Sequence, residues 1–470
     1  VSGRVRRVDA GAWRDPADVF ASLFGGETFA FWLDSGPYAV EGMSYIGSAS
    51  ASSQLITADV SSGTVTTSWP ERPDRGMTVE AASVFDVLAA DIGDGRGDGG
   101  FDLGWVGWFG YELAAATTGA PVADARTPDA AWLLVERMIA FDHRARTVTL
   151  VARESDDAES WIERTRAALQ AVEPRAPRAR QRSTTEPRWR HDATHYAQLI
   201  ERAHESIRRG DAYQLCLTNE IRIDIAPDPV DVYLDLRASN PVHHGGLLRF
   251  GDIALLSASP EQFLHIERGI VTTKPIKGTR PRGASGAEDA ALRDELLASD
   301  KERAENVMIV DLMRNDLGRI AERGSVTVPV LLDVESYSNV HQLVSTVRAE
   351  IPPTAEPLDV VAAAFPAGSM TGAPKIRALS ILHELEGGPR GIYAGAFGYL
   401  SRTGAVDLAM VIRSIVIDPH GVSIGTGGGI TALSVAADEI EETRVKVRAL
   451  LAVLGVDDRD DPAGPNPLIR

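Results

Sequence analysis

An α+β fold, with large, mostly antiparallel sheets and helices outside them, is predicted by two observations. Strand-like runs dominate the chain, and many alternate polar with apolar residues, as sheets with unlike faces do. The same runs are not regularly interleaved with helices, which a doubly wound parallel sheet would require. At 470 residues the chain calls for two domains or one large composite.

The elements follow in order. TFAFWLDS and LGWVGWFGYEL read as strands, TVTLVARE as a strand after a helix-like stretch, and SDDAESWIERTRAALQAV as a helix. Residues 171–192, AVEPRAPRARQRSTTEPRWRHD, are rich in Pro and Arg and nearly free of large aliphatics, the composition of an exposed linker. They separate a sheet-rich N-terminal subdomain, 1–170, from a second domain, 193–460. There HYAQLIERAHESIRRG has helical spacing and a closing Gly210. Strands are predicted in AYQLCLTNEIRIDI, GGLLRF, IALLSAS and FLHIERGIVTT, and long helices over 287–317 and 434–454. Between these helices, VTVPVLLDV, VHQLVSTVRAEI, GIYAGAFGYLS, LAMVIRSIVID and GVSIGTGGG read as further strands.

A net charge of −18 argues against nucleic acid, which needs a basic footprint, and against anionic membrane surfaces. The single cysteine, Cys216, excludes a disulfide within the chain and reads as a small core residue. With no apolar N-terminal h-region and no run able to span a bilayer, a cytoplasmic location is expected.

Several constellations could carry chemistry. In KPIKGTRPRG, Lys277 is either a solvated basic turn or a nucleophile. The second requires partial deprotonation by burial or a nearby cation, for which Lys274, Arg280 and Arg282 are at hand. In SDKERAENVMIVDLMRNDLGR, Ser299 and Glu302 have capping-box spacing, and Glu305 shares a helical face with Glu302. Such a carboxylate pair suits Mg²⁺ or a solvated acidic face. In IGTGGGITALSVAADEIEETRVKV, Gly425, Gly427, Gly428 and Gly429 form a loop whose amides could cradle an anion, followed by Glu439, Glu442 and Lys446 on one helical face. GSMTGAPK fails as a phosphate loop, because Pro374 precedes Lys375. Ser369 or Thr371 at this helix entry could still contact an anion. Arg413, in the apolar LAMVIRSIVI, needs an internal or a substrate carboxylate. His341 and Tyr393 are similar polar residues in apolar runs. His243 and His244 lack a third zinc ligand. Together these groups suit a small dianionic substrate bound through Mg²⁺.

PIKGTRPRG, AENVMIVDLMRNDLGR, FPAGSMTGAPK, YAGAFGYL and GTGGGIT…EIEET…K, in this order, resemble the chorismate-utilising enzymes. The resemblance covers about 190–455 and is weaker earlier, in FWLDSG, MSYIG and GWVGWFGYEL. It implies a four-layer α/β/β/α architecture with two stacked sheets and makes 193–460 the chorismate-binding catalytic domain. Lysine in P-I-x-G-T resembles the members that form aminodeoxychorismate, where anthranilate synthases usually carry alanine. The resemblance therefore implies attack of Lys277 at C2 with loss of the C4 hydroxyl, then addition of ammonia at C4 expelling the lysine. The product would be 4-amino-4-deoxychorismate, the p-aminobenzoate and folate precursor.

Further roles are implied by matching position. Glu261, in SASPEQF, would be the general acid. Glu305 and Glu442 would bind Mg²⁺, with Glu302 and Glu439 beside them through water. Tyr393, Arg413 and the amides of Gly427, Gly428 and Gly429 would bind carboxylate, with Lys446 nearby, and Ser369 and His341 would line the ring. Gln214 stands where the water-using isochorismate and salicylate synthases place a basic lysine, which disfavours those activities. Two stretches depart from the family pattern, NPVHHGG at 240–246 and Ser434-Val435-Ala436. The first puts tryptophan binding in doubt, and the second is read as structural. With no room for an appended amidotransferase, a separate glutaminase subunit is expected to deliver ammonia. The alternatives are anthranilate synthase component I and a non-catalytic chorismate-binding subunit.

Overall fold

The computed structural model describes residues 4–97, 99–175, 183–337 and 340–457. Two 12-stranded sheets organise the chain, and their pairings are antiparallel. Both sheets draw strands from either side of the 171–192 segment. In the first, Phe29–Asp34 pairs with His244–Phe250. In the second, Gly104–Phe109 pairs with Ala396–Ser401.

Side-chain alternation along these strands sets the layers. Phe31 and Trp108 face a core between the sheets, where Trp108 stacks on Phe250 at 5.1 Å. Their neighbours Trp32 and Phe109 point outward, each into a separate core shared with helices. Trp32 meets Phe20 of the Pro16–Leu23 helix, and Phe109 meets Phe85 of the Val84–Ala89 helix. The fold is thus the α+β, helix–sheet–sheet–helix architecture expected.

Four local expectations are corrected. The helix-like stretch before TVTLVARE is two strands, Ala130–Val135 and Arg137–Asp142. Both are buried on both faces, and a continuous apolar run carries no period to separate strand from helix. The 287–317 helix is two, Gly286–Ala298 and Asp300–Gly318, with Ser299 closing the first and capping the second. LAMVIRSIVI is likewise two strands: Val406–Met410 lies in the second sheet and Ser414–Asp418 in the first, so Arg413 sits at the crossing with φ +52°. The glycine loop is itself strand, Gly421–Ile430.

Within 171–192, residues 176–182 lie outside the described residues, as do 458–460 of the second domain. Arg188–Trp189 adds a short edge strand. No helix among the described residues is long and apolar enough to cross a membrane.

Lys375, the lysine of GSMTGAPK, is a core ion pair. It meets Asp316 at 2.6 Å and donates to the carbonyls of Ala364 and Pro366. Burial pushes the Asp316 pKa up and the lysine pKa down, so the pair survives only because the partners face each other. Lys375→Met, which strands the carboxylate, is expected to cost about 3–5 kcal/mol in urea unfolding at pH 7. Wild-type stability in that variant would show the pair to be dispensable.

Candidate functional site

A cavity of about 1050 Å³ opens where the two sheets part. Its walls are the Ile276–Pro281 strand, the starts of the Asp300–Gly318 and Ala436–Val453 helices, the Gly421–Ile430 strand and the Arg413 crossing. Residues 35–41 reach its mouth, so the N-terminal segment contributes as well.

Lys277 enters the cavity because its strand bulges. The register against Val340–Glu350 slips between Lys277 and Thr279, at Gly278 with φ +78°. A Cβ at Gly278 would lie 2.7 Å from Leu296 and 2.9 Å from Glu302, so only glycine fits. The lysine Nζ lies 4.0 Å from Glu305 Oε2. Burial alone would lower its pKa, but Glu305 foremost, with Glu261 and Glu442, holds it above the usual lysine value. The expected activating cations are otherwise engaged: Lys274 pairs with Glu335, Arg280 with Glu295 and Arg282 with Asp289. Around Lys277 stand carboxylates instead, which protect its proton in the absence of a metal.

Glu261 is the complementary group. Burial pushes its pKa to about 7, against the opposing pull of Lys277, the Ser369 hydroxyl and the Ile276 amide. A carboxylic acid with that value can hold a proton near neutrality and give it up.

Glu302, Glu305, Glu439 and Glu442 form an acidic wall of the cavity, with Glu305 beside Lys277. Burial raises the Glu305 pKa. At Glu442 burial acts in the same sense, but Lys446 and Lys301 hold the pKa below the usual value. Glu439 is 2% exposed, and its Oε1 has no hydrogen-bond partner. Among the described residues no three His, Cys, Asp or Glu side chains converge on one point. Mg²⁺ needs no such cage, since it is held by one or two carboxylates with water and substrate oxygens. An orphaned, buried carboxylate oxygen within an acidic wall therefore fits that ion.

The glycines serve as a flat strand edge. Gly425 to Gly429 pair with Cys216 to Glu220 on one side, while pairing with Ser414–Asp418 on the other stops at Ser423. Beyond Ser423 that edge is open to the cavity, where free backbone donors can meet an anion. A Cβ at Gly425 would fall 2.0 Å from the Tyr393 ring, at Gly428 2.7 Å from Glu439, and at Gly429 2.5 Å from Gln214. Lys446 donates to the Gly427 carbonyl at 2.7 Å and pairs with Glu442 at 2.6 Å.

Arg413 faces this edge. Its guanidinium makes no ion pair with a carboxylate among the described residues, although protein surrounds it and lowers its pKa by burial. Its exposed surface faces the cavity. The internal carboxylate that the sequence allowed is present only at longer range, as Glu442, and a cation with no contacting carboxylate among the described residues suits a carboxylate ligand.

Three residues expected to contact substrate are absent from the cavity lining. Thr371 bonds the carbonyls of Ala367 and Gly368, outside the lining to which Ser369 belongs. His341 points to the other face of its strand, between Ser336 and Asp289 at 2.7 and 3.0 Å. Gln214 is buried, with its amide on the same face of Gly429 as the Lys277 ammonium. Cys216 is buried, and burial raises its thiol pKa.

Sequence reasoning missed Lys301, 3.6 Å from Glu439. The available signal was a lysine in the first turn of a helix, where it opposes the helix dipole.

Residues 45–452 match the chorismate binding enzyme family. The chain belongs to that family. The match includes every cavity residue except those of the 35–41 loop. Among curated relatives of this chorismate binding enzyme, the aminodeoxychorismate synthase of Streptomyces griseus is 44% identical over 94% of this chain and 63% of its own length. The chloroplastic aminodeoxychorismate synthase of Arabidopsis thaliana is 40% identical over 74% of this chain and 40% of its own. The chain thus spans less than two-thirds of these relatives. The anthranilate synthase component 1 of Thermus thermophilus is 40% identical over 74% of this chain and 76% of its own. In structure, anthranilate synthase component I from Streptococcus pneumoniae superimposes with a TM-score of 0.76 at 29% identity, covering 95% of this chain and 99% of that one.

Proposed function

We propose that this chain aminates chorismate at C4 to give 4-amino-4-deoxychorismate through a covalent adduct of Lys277. The observation that carries the reading is a half-buried amine in the lining of the cavity that also holds a protonatable acid, Glu261. Relatives named aminodeoxychorismate synthase, at 38–44% identity over nearly the whole chain, support it.

Chorismate is a dianion, and Arg413 with the open amides of Gly427 and Gly429 offers a place for a carboxylate, while the Gly428 amide between them is turned to Leu217 in the ladder. Glu305 and Glu442, with Glu302 and Glu439 through water, would hold Mg²⁺, which supplies charge neutralisation for a substrate carboxylate. With these glutamates so engaged, burial dominates at Lys277 and favours the neutral amine. The amine forms a bond to C2, the two conjugated ring double bonds each shift by one position round the ring, from C1=C2 and C5=C6 to C6=C1 and C4=C5, and the C4 oxygen departs as water with the Glu261 proton. Ammonia then bonds to C4, both double bonds return, and the C2–N bond breaks with its electron pair leaving on the Lys277 nitrogen. The ammonia would come from a separate glutamine amidotransferase subunit, and free ammonium should replace it.

The test is product analysis of the purified chain with chorismate, Mg²⁺ and ammonium, with and without a lyase that converts aminodeoxychorismate to p-aminobenzoate. Lyase-dependent p-aminobenzoate is expected. Anthranilate would assign the chain to the other branch, and no turnover would favour a binding subunit.

A further inference from the structure

Every carboxylate of the acidic wall has a cation beside it. Glu305 has Lys277 at 4.0 Å, Glu442 has Lys446 at 2.6 Å, Glu302 has Arg280 at 3.8 Å and Glu439 has Lys301 at 3.6 Å. These cations are not equally held. Lys277 is enclosed by the cavity wall, Lys446 is tied to the Gly427 carbonyl, and Arg280 is bidentate on Glu295. Lys301 alone among the four has a side chain near half exposure, at 48%. Its ammonium lies beyond hydrogen-bond distance of Glu439, whose Oε1 remains unbonded although buried. Its place in the first turn of the Asp300–Gly318 helix also works against the helix dipole. A local rule broken at a cavity wall points to function.

We propose that Lys301 is a releasable counter-ion: it neutralises Glu439 while no metal is bound and swings into solvent when a divalent cation takes the acidic wall. The inference rests on the reading of that wall as a metal site. The long, flexible lysine stem permits the exchange. The same stand-in cation keeps four glutamates from repelling one another in the metal-free protein, at the expense of metal affinity.

Titration calorimetry of the full chain with MgCl₂, repeated with MnCl₂, tests the proposal without reference to turnover. Lys301→Met is expected to bind about tenfold tighter than wild type, the effect of removing one partly screened charge near the site. Lys301→Arg, which keeps the charge, should stay within about twofold. In EDTA the Met variant should melt below wild type, and metal should restore it by a larger increment. Lys301→Gln should show the same tightening and covers the case in which methionine disturbs the fold. Equal affinities in all variants would overturn the role of Lys301 and leave the metal site standing. Absence of binding in every protein, wild type included, would overturn both.

Discussion

Lys277→Ala is expected to bind chorismate yet lose C4 amination by about 10³-fold or more, the scale on which removal of a covalent nucleophile acts. The carboxylate contacts assigned to Arg413 and the open glycine edge do not involve the lysine, so binding should survive. Removal of the ammonium also leaves Glu305 without its nearest cation, which should make the metal-loaded protein more stable relative to the metal-free one. Chorismate binding is read by calorimetry and product by chromatography after a lyase-coupled assay. Anthranilate from the variant would mean that ammonia reaches C2 once the lysine is gone. Undiminished aminodeoxychorismate would remove Lys277 from the mechanism.

Glu261→Gln should lower turnover by about 10²–10⁴-fold, the usual contribution of a positioned acid. Its pH behaviour is the sharper readout. The Glu261 pKa is raised from 4.5 to about 7 by burial, so the acid is protonated below about pH 7 and turnover limited by it should fall as pH rises through that value. At a fixed concentration of free ammonia, this limb should vanish in the variant. Between pH 4.5 and about 7 the folded protein holds a proton that the unfolded chain has lost, so wild-type stability declines as pH rises across this window. Glutamine does not titrate. Glu261→Gln should therefore match wild type near pH 5 and exceed it at pH 8 by ~3 kcal/mol as an order of magnitude. A variant no more stable than wild type at pH 8 would show that Glu261 is not strained by its burial.

The antiparallel, helix-flanked class was legible because alternating strands announce themselves one residue at a time. Lys277, Glu305 and Glu442 were singled out by their own neighbours in sequence, since caps and helix faces are local properties, and Glu261 by the family resemblance alone. The errors arose where burial erases periodicity. Ala130–Val135 is buried along its whole length, so its residues carry no period that separates strand from helix. Val406–Asp418 looked like one strand, although it crosses from one sheet to the other at Arg413.

By itself the sequence determined the residue types of the site, the layer class and the family, because each depends on local pattern. Only the tertiary structure decided which of these residues meet. It turned His341 toward Asp289 and away from the cavity, set the glycines on an unpaired strand edge, and brought Lys301 from one helix to Glu439 on another. It also surrounded Lys277 with carboxylates where neighbouring residues suggested cations. Strand direction, sheet registry and burial set these relations, and with them the local dielectric that shifts a pKa. They are summed over segments hundreds of residues apart, so no short window of sequence contains them.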